Sequence, residues 1–151
     1  MVKVALSRVD IDGAKNKLQE ELPGWNFNET QKQAADAWND ELSRIDVRGG
    51  TEAQRKTFYT ALYHANIHPN ISFDADRRYR SMDKKVYTAT DFDNYTTFSL
   101  WDTHRALHPL LTIIDQKRTN QYIRTFLERY NHFGNLPIME FGGNEGFAMI
   151  G

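Results

Sequence analysis

Two short stretches carry residue types able to handle a polar ligand. The first is YTTFSLWDTHR (95–105), which delivers an indole, a carboxylate and a guanidinium in Trp101, Asp102 and Arg105 where a helical pattern begins. A carboxylate in the first turn of a helix is kept ionised by the helix dipole and can accept hydrogen bonds from ligand hydroxyls. The same residues also suit a structural role, with Ser99 and Asp102 forming a capping pair and Trp101 in the core. The second stretch is Gly142-Gly143-Asn144-Glu145-Gly146, with Glu140 just before it. Glycines let a backbone approach closely, while Asn and Glu add a donor, an acceptor and a carboxylate. Two carboxylates are what glycoside hydrolysis requires, one as acid and the other as base or nucleophile. The alternative is a helix start capped by Asn144. Residue chemistry leaves both readings open.

Other candidates carry weaker signals. His64/His68 and His104/His108 are spaced so that two imidazoles can share a helix face, but neither pair sits in an H-E-x-x-H pattern and no third ligand is evident. Asp91, Asp93 and Asn94 are similar to part of a calcium loop, without its glycine or distal glutamate. Arg77, Arg78, Arg80, Lys84 and Lys85 form a basic cluster interrupted by Asp83, which reads as a solvated hairpin.

Composition narrows the classes. Nineteen Lys and Arg against 20 Asp and Glu give a formal charge of -1 over 151 residues, so there is no general attraction to nucleic acid or anionic lipid. No apolar run reaches the roughly 18 residues of a membrane span. Neither nucleic acid nor membrane is expected as a partner. The N-terminus, with Lys3 and Arg8 inside its short apolar stretch, lacks the shape of a signal peptide. Cysteine is absent, which excludes disulfides, thiolate metal sites and cysteine nucleophiles from these residues. Aromatic residues make up 13%, and they serve equally as core or as platforms for sugar faces.

The elements that must position these residues follow from periodicity. Val2, Val4 and Leu6 alternate like a short strand. Ile11, Ala14, Leu18 and Leu22 recur at helical spacing until Pro23-Gly24. Asn28 with Gln31 resembles a capping box for a helix that lines up Ala34, Ala35, Trp38, Leu42 and Ile45. Thr51 with Gln54 is a second box, opening a helix through Phe58, Leu62 and Ala65. Residues 69–98 lose the helical period, and Tyr79 to Tyr87 predicts a small hairpin turning at Asp83-Lys84. A stretch that long and that aromatic reads as an ordered, functional excursion over one end of a helical scaffold. Helices are expected again from Ser99 through Leu111, where Pro109 kinks or restarts the helix, and from Asp115 to Gly134. The second of these carries a stripe of Ile123, Phe126, Leu127 and Tyr130. The reading is all-α, an array of αα-hairpins. The apolar ending at Met149-Ile150-Gly151 looks cut rather than finished.

Segments in order along the chain resemble glycoside hydrolase family 92, the calcium-dependent exo-acting α-mannosidases. They are GAKNKLQEELPGWNF (13–27), AWNDELSRIDVRGGTEAQRKTFYTALYHANIHPN (37–70), YRSMD (79–83), YTTFSLWDTHRALHPLLTII (95–114) and LPIMEFGGNE with MIG (136–151). The most specific are TFYTALYH and TFSLWDTHRALHPL. The resemblance implies a β-sandwich upstream, with residues 1–9 as a strand or linker leaving it. Residues 10–151 would then be the first portion of an (α/α)6 toroid, an incomplete catalytic barrel. It implies inverting removal of terminal α-mannose from glycans, calcium as cofactor, the remainder of the catalytic domain as partner, and a periplasmic or secreted location.

The family's acid and base carboxylates and most of its calcium ligands lie later in the barrel, so no catalytic residue and no metal ligand is assigned within this chain. The resemblance assigns Trp101, Asp102, Asn144 and Glu145 to contact with terminal mannose. Asp102 and Glu145 would accept hydroxyl hydrogen bonds, and Trp101 would shape the pocket. Members usually carry Thr after the GNE motif, whereas this chain reads Gly146-Phe147, which puts hydroxyl contacts there in doubt. The isolated 151 residues are expected to be inactive. Competing readings are a non-catalytic helical module that binds sugar or protein through the apolar surface near Met149, and another (α/α)6 glycosidase.

Overall fold

A computed structural model of the chain describes residues 1–146; Phe147, Met149 and the rest of the apolar ending lie outside the described residues. About half of the chain is helical and the strands are short. It divides into two compact units, residues 24–68 and residues 1–23 together with the chain from Pro69 onward.

The smaller unit is an αα-hairpin. Its two elements are α2 (Phe27–Leu42) and α3 (Glu52–Ala65), following α1 (Ile11–Glu21), which belongs to the larger unit. Helix α2 starts at Asn26, whose side chain accepts from the Glu29 amide at 3.2 Å, two residues before the predicted Asn28 cap. Asn26 precedes the apolar Phe27, so the chain is already helical where the Asn28–Gln31 spacing points. Helix α3 has the predicted Thr51–Gln54 capping box, with both reciprocal bonds formed. Trp38 packs on Tyr63 with ring centroids 4.5 Å apart. The Tyr59 hydroxyl donates to Ile45 O at 3.0 Å, tying down the connection between the helices.

In the larger unit, residues 1–9 form no strand. Alternation alone predicted one, but a strand needs a ladder partner, and these residues are held instead by side chains: Arg80 donates to Arg8 O at 2.7 Å and Val9 O at 3.2 Å, and the Ser7 hydroxyl donates to Asp74 at 2.6 Å. Helix α1 is capped by Asp10, which accepts from the Gly13 amide at 2.7 Å and receives Arg78 at 2.9 Å. Those two contacts, the amide first, hold the Asp10 carboxyl below the usual range.

The helix-poor stretch after Pro69 is the centre of this unit rather than an excursion over its end. It contains β1 (Asn70–Ile71), β2 (Arg78–Arg80), β3 (Val86–Thr88), β4 (Tyr95–Thr96) and β5 (Phe98–Ser99). Three antiparallel ribbons result: β1 with β4, the hairpin β2 with β3, and β5 with β6 (Met139–Glu140). The hairpin is the predicted one, and Lys84 at its turn takes a positive φ of 68°. Of the basic cluster, Lys84 and Lys85 at the turn are exposed as expected, whereas Arg77, Arg78 and Arg80 are partly buried. Arg77 donates to Ala89 O at 2.6 Å and to Phe92 O, pairs with Asp93 at 3.0 Å, and lies 4.6 Å over the Phe73 ring.

The helix predicted from Ser99 through Leu111 is two helices, α4 (Leu100–Thr103) and α5 (Leu107–Ile114), with Pro109 in the first turn of the second. Helix α6 (Gln116–Phe133) opens at Asp115, which accepts from the Arg118 amide at 3.0 Å, and closes at Gly134 with φ 85°. Its buried face is Tyr122, Thr125 and Arg129, whereas Ile123, Leu127 and Tyr130 of the predicted stripe stay half exposed. One cluster packs Tyr95, Phe98, Leu111 and Tyr122 with Phe126; a second packs Tyr79, Ala89 and Phe92 with Tyr87. The all-α expectation is thus corrected to a mainly helical chain whose larger unit is threaded by β-ribbons.

Candidate functional site

Strand β5 runs directly into α4, and it pairs with β6, which runs directly into the glycine turn. Phe98 is opposite Glu140 and Ser99 is opposite Met139. The Leu100 amide extends the ribbon by donating to Ile138 O at 3.4 Å. Both stretches singled out in the sequence are therefore anchored on one ribbon. Ser99 makes no side-chain cap bond, because it is the last residue of a strand. Trp101 and Asp102 are exposed at the start of α4, so neither is used up as core or as the partner of a Ser99 cap.

The glycine turn is not a helix start. Glu140 and Glu145 form an isolated bridge, and Phe141 and Asn144 exchange backbone hydrogen bonds at 2.9 and 3.2 Å. Gly142 and Gly143 have φ of 59° and 80°, and a Cβ on Gly143 would stand 3.1 Å from Ser81 O. Glycine is required there by both conformation and space. Glu145 turns back on the chain, its two oxygens accepting the amides of Ile138 at 2.9 Å and Met139 at 3.0 Å. Asn144 is exposed, and its Oδ1 accepts from Lys84 Nζ at 2.5 Å. The same ammonium donates to Gly143 O at 2.5 Å, so the tip of the β2–β3 hairpin holds the turn.

Beneath the surface lies Glu140, fully buried. Its oxygens accept from the Thr96 hydroxyl at 3.1 and 2.9 Å, from the Thr97 amide at 3.2 Å, and from the Gly143 amide. Arg129, 1% exposed, stands 3.8 Å away as its counter-ion, and burial lowers the pKa of that guanidinium. Arg129 also donates to Tyr95 O and Ser81 Oγ, each at 3.3 Å. Thr96 closes the circuit by accepting the Gly142 amide at 2.6 Å. Thr97, between β4 and β5, is β-branched and yet has φ 68°, a left-handed conformation that costs about 1–3 kcal/mol for such a residue. Thr96 and Thr97 also line a cavity of about 400 Å³ whose other walls include Ser7, Lys17, Ser72 and Asp74.

The sequence model of the glycosyl hydrolase family 92 catalytic domain matches residues 13–151. The chain belongs to this family. The solved structure of the family GH92 α-mannosidase BT3965 from Bacteroides thetaiotaomicron is 40% identical with a TM-score of 0.90, over 96% of this chain and 20% of that one. The same enzyme in complex with mannoimidazole superposes equally well. The family GH92 inverting mannosidase BT2199 from the same organism is 29% identical with a TM-score of 0.84, over 96% of this chain and again 20% of its own. The chain thus spans about a fifth of these solved relatives. A search of curated protein sequences found no match.

In this family 92 chain, the remaining candidates do not converge. His104 Nδ1 lies 2.8 Å from Leu100 O, while half-buried His108 packs edge-on against Tyr122, and burial lowers its pKa. Asp91 pairs with Arg124 at 2.6 Å, Asp93 with Arg77, and the Asn94 amide donates to Ser72 O at 2.7 Å. Among the described residues, no three His, Cys, Asp or Glu side chains gather as a metal site. The calcium implied by the family finds no fitting donor set in these residues.

Glu140, Thr96, Thr97, Arg129 and Lys84 are the site residues that sequence reasoning missed or left at the margin. The positive φ of Thr97 and the burial of Glu140 come from contacts across more than 40 residues, which no local pattern encodes. The one available signal was a carboxylate two residues before a glycine pair, Glu140 ahead of Gly142-Gly143.

Proposed function

We propose that this chain is a section of the catalytic domain of an exo-acting α-mannosidase that removes terminal α-linked mannose with inversion. The observation that carries the proposal is 40% identity to an α-mannosidase over 96% of the chain. In this reading the chain completes an (α/α)6 toroid together with further helices, and residues 1–9 link it to an upstream β-sandwich. The half-exposed Ile123, Leu127 and Tyr130 of α6, with Ile113 of α5, support such a partner, because contiguous apolar surface marks an interaction site. Periplasmic or secreted location belongs to the same proposal and rests on the family alone.

Within the reaction, this chain's part is to hold the sugar. Exposed Trp101 offers its ring to an apolar sugar face, and exposed Asp102 accepts from hydroxyls. Asn144 supplies amide contacts at the turn. Glu145, anchored by the amides of Ile138 and Met139, accepts from a sugar hydroxyl in the same reading. The acid that protonates the leaving oxygen and the base that activates water come from outside these residues. Calcium, bound elsewhere in the domain, would supply electrostatic hold on the sugar.

The test is to express both the complete polypeptide of the reading frame and the 151-residue chain, and to assay each on an aryl α-mannoside with and without chelator. The complete polypeptide is expected to release mannose in a chelator-sensitive way, and the chain alone to release none. Release by the isolated chain would overturn its inactivity. Activity confined to α-glucosides would assign another (α/α)6 glycosidase, and sugar binding without hydrolysis would assign a non-catalytic module.

A further inference from the structure

We propose that Glu140 is a positioning residue: one buried carboxylate that fixes, in a single grip, the approach to Trp101-Asp102 and the turn carrying Asn144-Glu145. The inference rests on the sugar-binding reading of those four residues. Its basis is the distribution of the donors that Glu140 collects. Thr96 and Thr97 belong to the segment leading through β5 into α4, and Gly143 belongs to the turn. Thr96 links the two a second time, by donating to Glu140 and accepting from Gly142.

The geometry exceeds what a buried carboxylate needs to be satisfied. Backbone pairing of Phe98 with Glu140 already joins the ribbon. The carboxylate adds bonds at the two places where that ribbon stops, the Thr97 step and the Gly142-Gly143 turn. Thr97 pays a conformational cost in its left-handed position. That position aims its amide at Glu140 and turns the chain from the β1–β4 ribbon into the β5–β6 ribbon. Arg129 stands behind the carboxylate as its ion-pair partner at 3.8 Å, and amide bonds to a carboxylate are stronger than those to a neutral acceptor.

Glu140→Gln is nearly isosteric, but its NH2 must face either the Gly143 amide or the Thr96–Thr97 donors, so one half of the grip is lost. In the complete polypeptide, below its melting transition, the variant is expected to raise KM for the aryl α-mannoside and Kd for mannoimidazole about tenfold, with kcat within about threefold of wild type, the signature of lost uniform binding. Amide hydrogen exchange is expected to rise together in residues 97–102 and 142–145, and to stay unchanged in the β2–β3 hairpin. Thr96→Val, which removes only the hydroxyl link, should show the same pattern more weakly and serves if Glu140→Gln does not fold. A folded variant with lower Tm but wild-type KM and Kd would overturn the proposal, and so would exchange that rises in only one of the two segments. If the wild-type polypeptide itself neither hydrolyses the mannoside nor binds mannoimidazole, the sugar reading fails. The exchange result then decides the grip by itself.

Discussion

Gly13 shows how much of this molecule is settled by single atoms. A Cβ at that position would stand 2.0 Å from Asp74 Oδ2 and 2.9 Å from Ser7 Oγ. Asp74 has nowhere to go: it is 2% exposed, bonded to Ser7 and paired with Lys17 at 3.0 Å. Gly13→Ala is expected to destabilise the chain by about 1–3 kcal/mol through overpacking, read as a lower urea midpoint with unchanged m. An unchanged midpoint would show that α1 does not approach Asp74 this closely.

Titration offers a second test at this scale. His132 is stacked on Tyr87 at 3.6 Å with its Nδ1 3.1 Å from Ser81 Oγ, and burial, the largest influence, lowers its pKa. Because the folded value lies below the unfolded one, the folded state binds fewer protons, and stability drops as pH falls through about 6.5 toward the folded value. His108 adds to the same limb. Tyr79 acts at the other end. Burial pushes its pKa up to about 12, so stability drops as pH rises from about 10 toward that value. Thermal melts across pH should show both limbs, and Tyr79→Phe should flatten the alkaline one. An alkaline limb that persists in Tyr79→Phe would assign it to other groups.

Among the elements, the helices whose ends are set locally were legible from sequence. The Thr51–Gln54 box is complete within four residues, and Asp115 and Gly134 bound α6 as their residue types dictate. Thr51→Ala is expected to cost about 1 kcal/mol, with Thr51→Ser largely neutral, measured by denaturant titration of far-UV dichroism. Equal stability of all three forms would make the box dispensable. The sequence misled where a remote partner decides the outcome. Ser99 looks like a cap but pairs with Met139 as a strand residue. On α6, counting apolar residues selects Ile123, Leu127 and Tyr130, yet the buried face includes Arg129, held by Glu140, Tyr95 O and the Tyr79 ring. The four candidate sugar contacts were visible as motifs, whereas the Thr96–Glu140–Arg129 layer beneath them was not.

At the scale of the molecule, the exposed apolar side chains on α5 and α6 predict behaviour in solution. The 151-residue chain alone is expected to self-associate with rising concentration, detected by light scattering, and Ile123→Lys combined with Leu127→Lys should reduce this without altering helical dichroism. A wild-type chain that stays monomeric at high concentration would show that this surface needs no cover.

The change of ribbon at Thr97 has a consequence for the order in which the structure is made. The β2–β3 hairpin joins neighbours along the chain and can form in about 1–10 μs. By contrast, β1 with β4 and β5 with β6 bring together distant residues, and each must close a long loop before any pairing rewards it. A single stretch, residues 95–99, serves both of these ribbons with the left-handed Thr97 between them. Neither can settle in register until the other has nearly arrived. The hairpin and helices are therefore early, and the frame beneath Trp101 and Asn144 is late. Refolding followed by Trp101 fluorescence in a Trp25→Phe, Trp38→Phe background should lag behind refolding followed by far-UV dichroism.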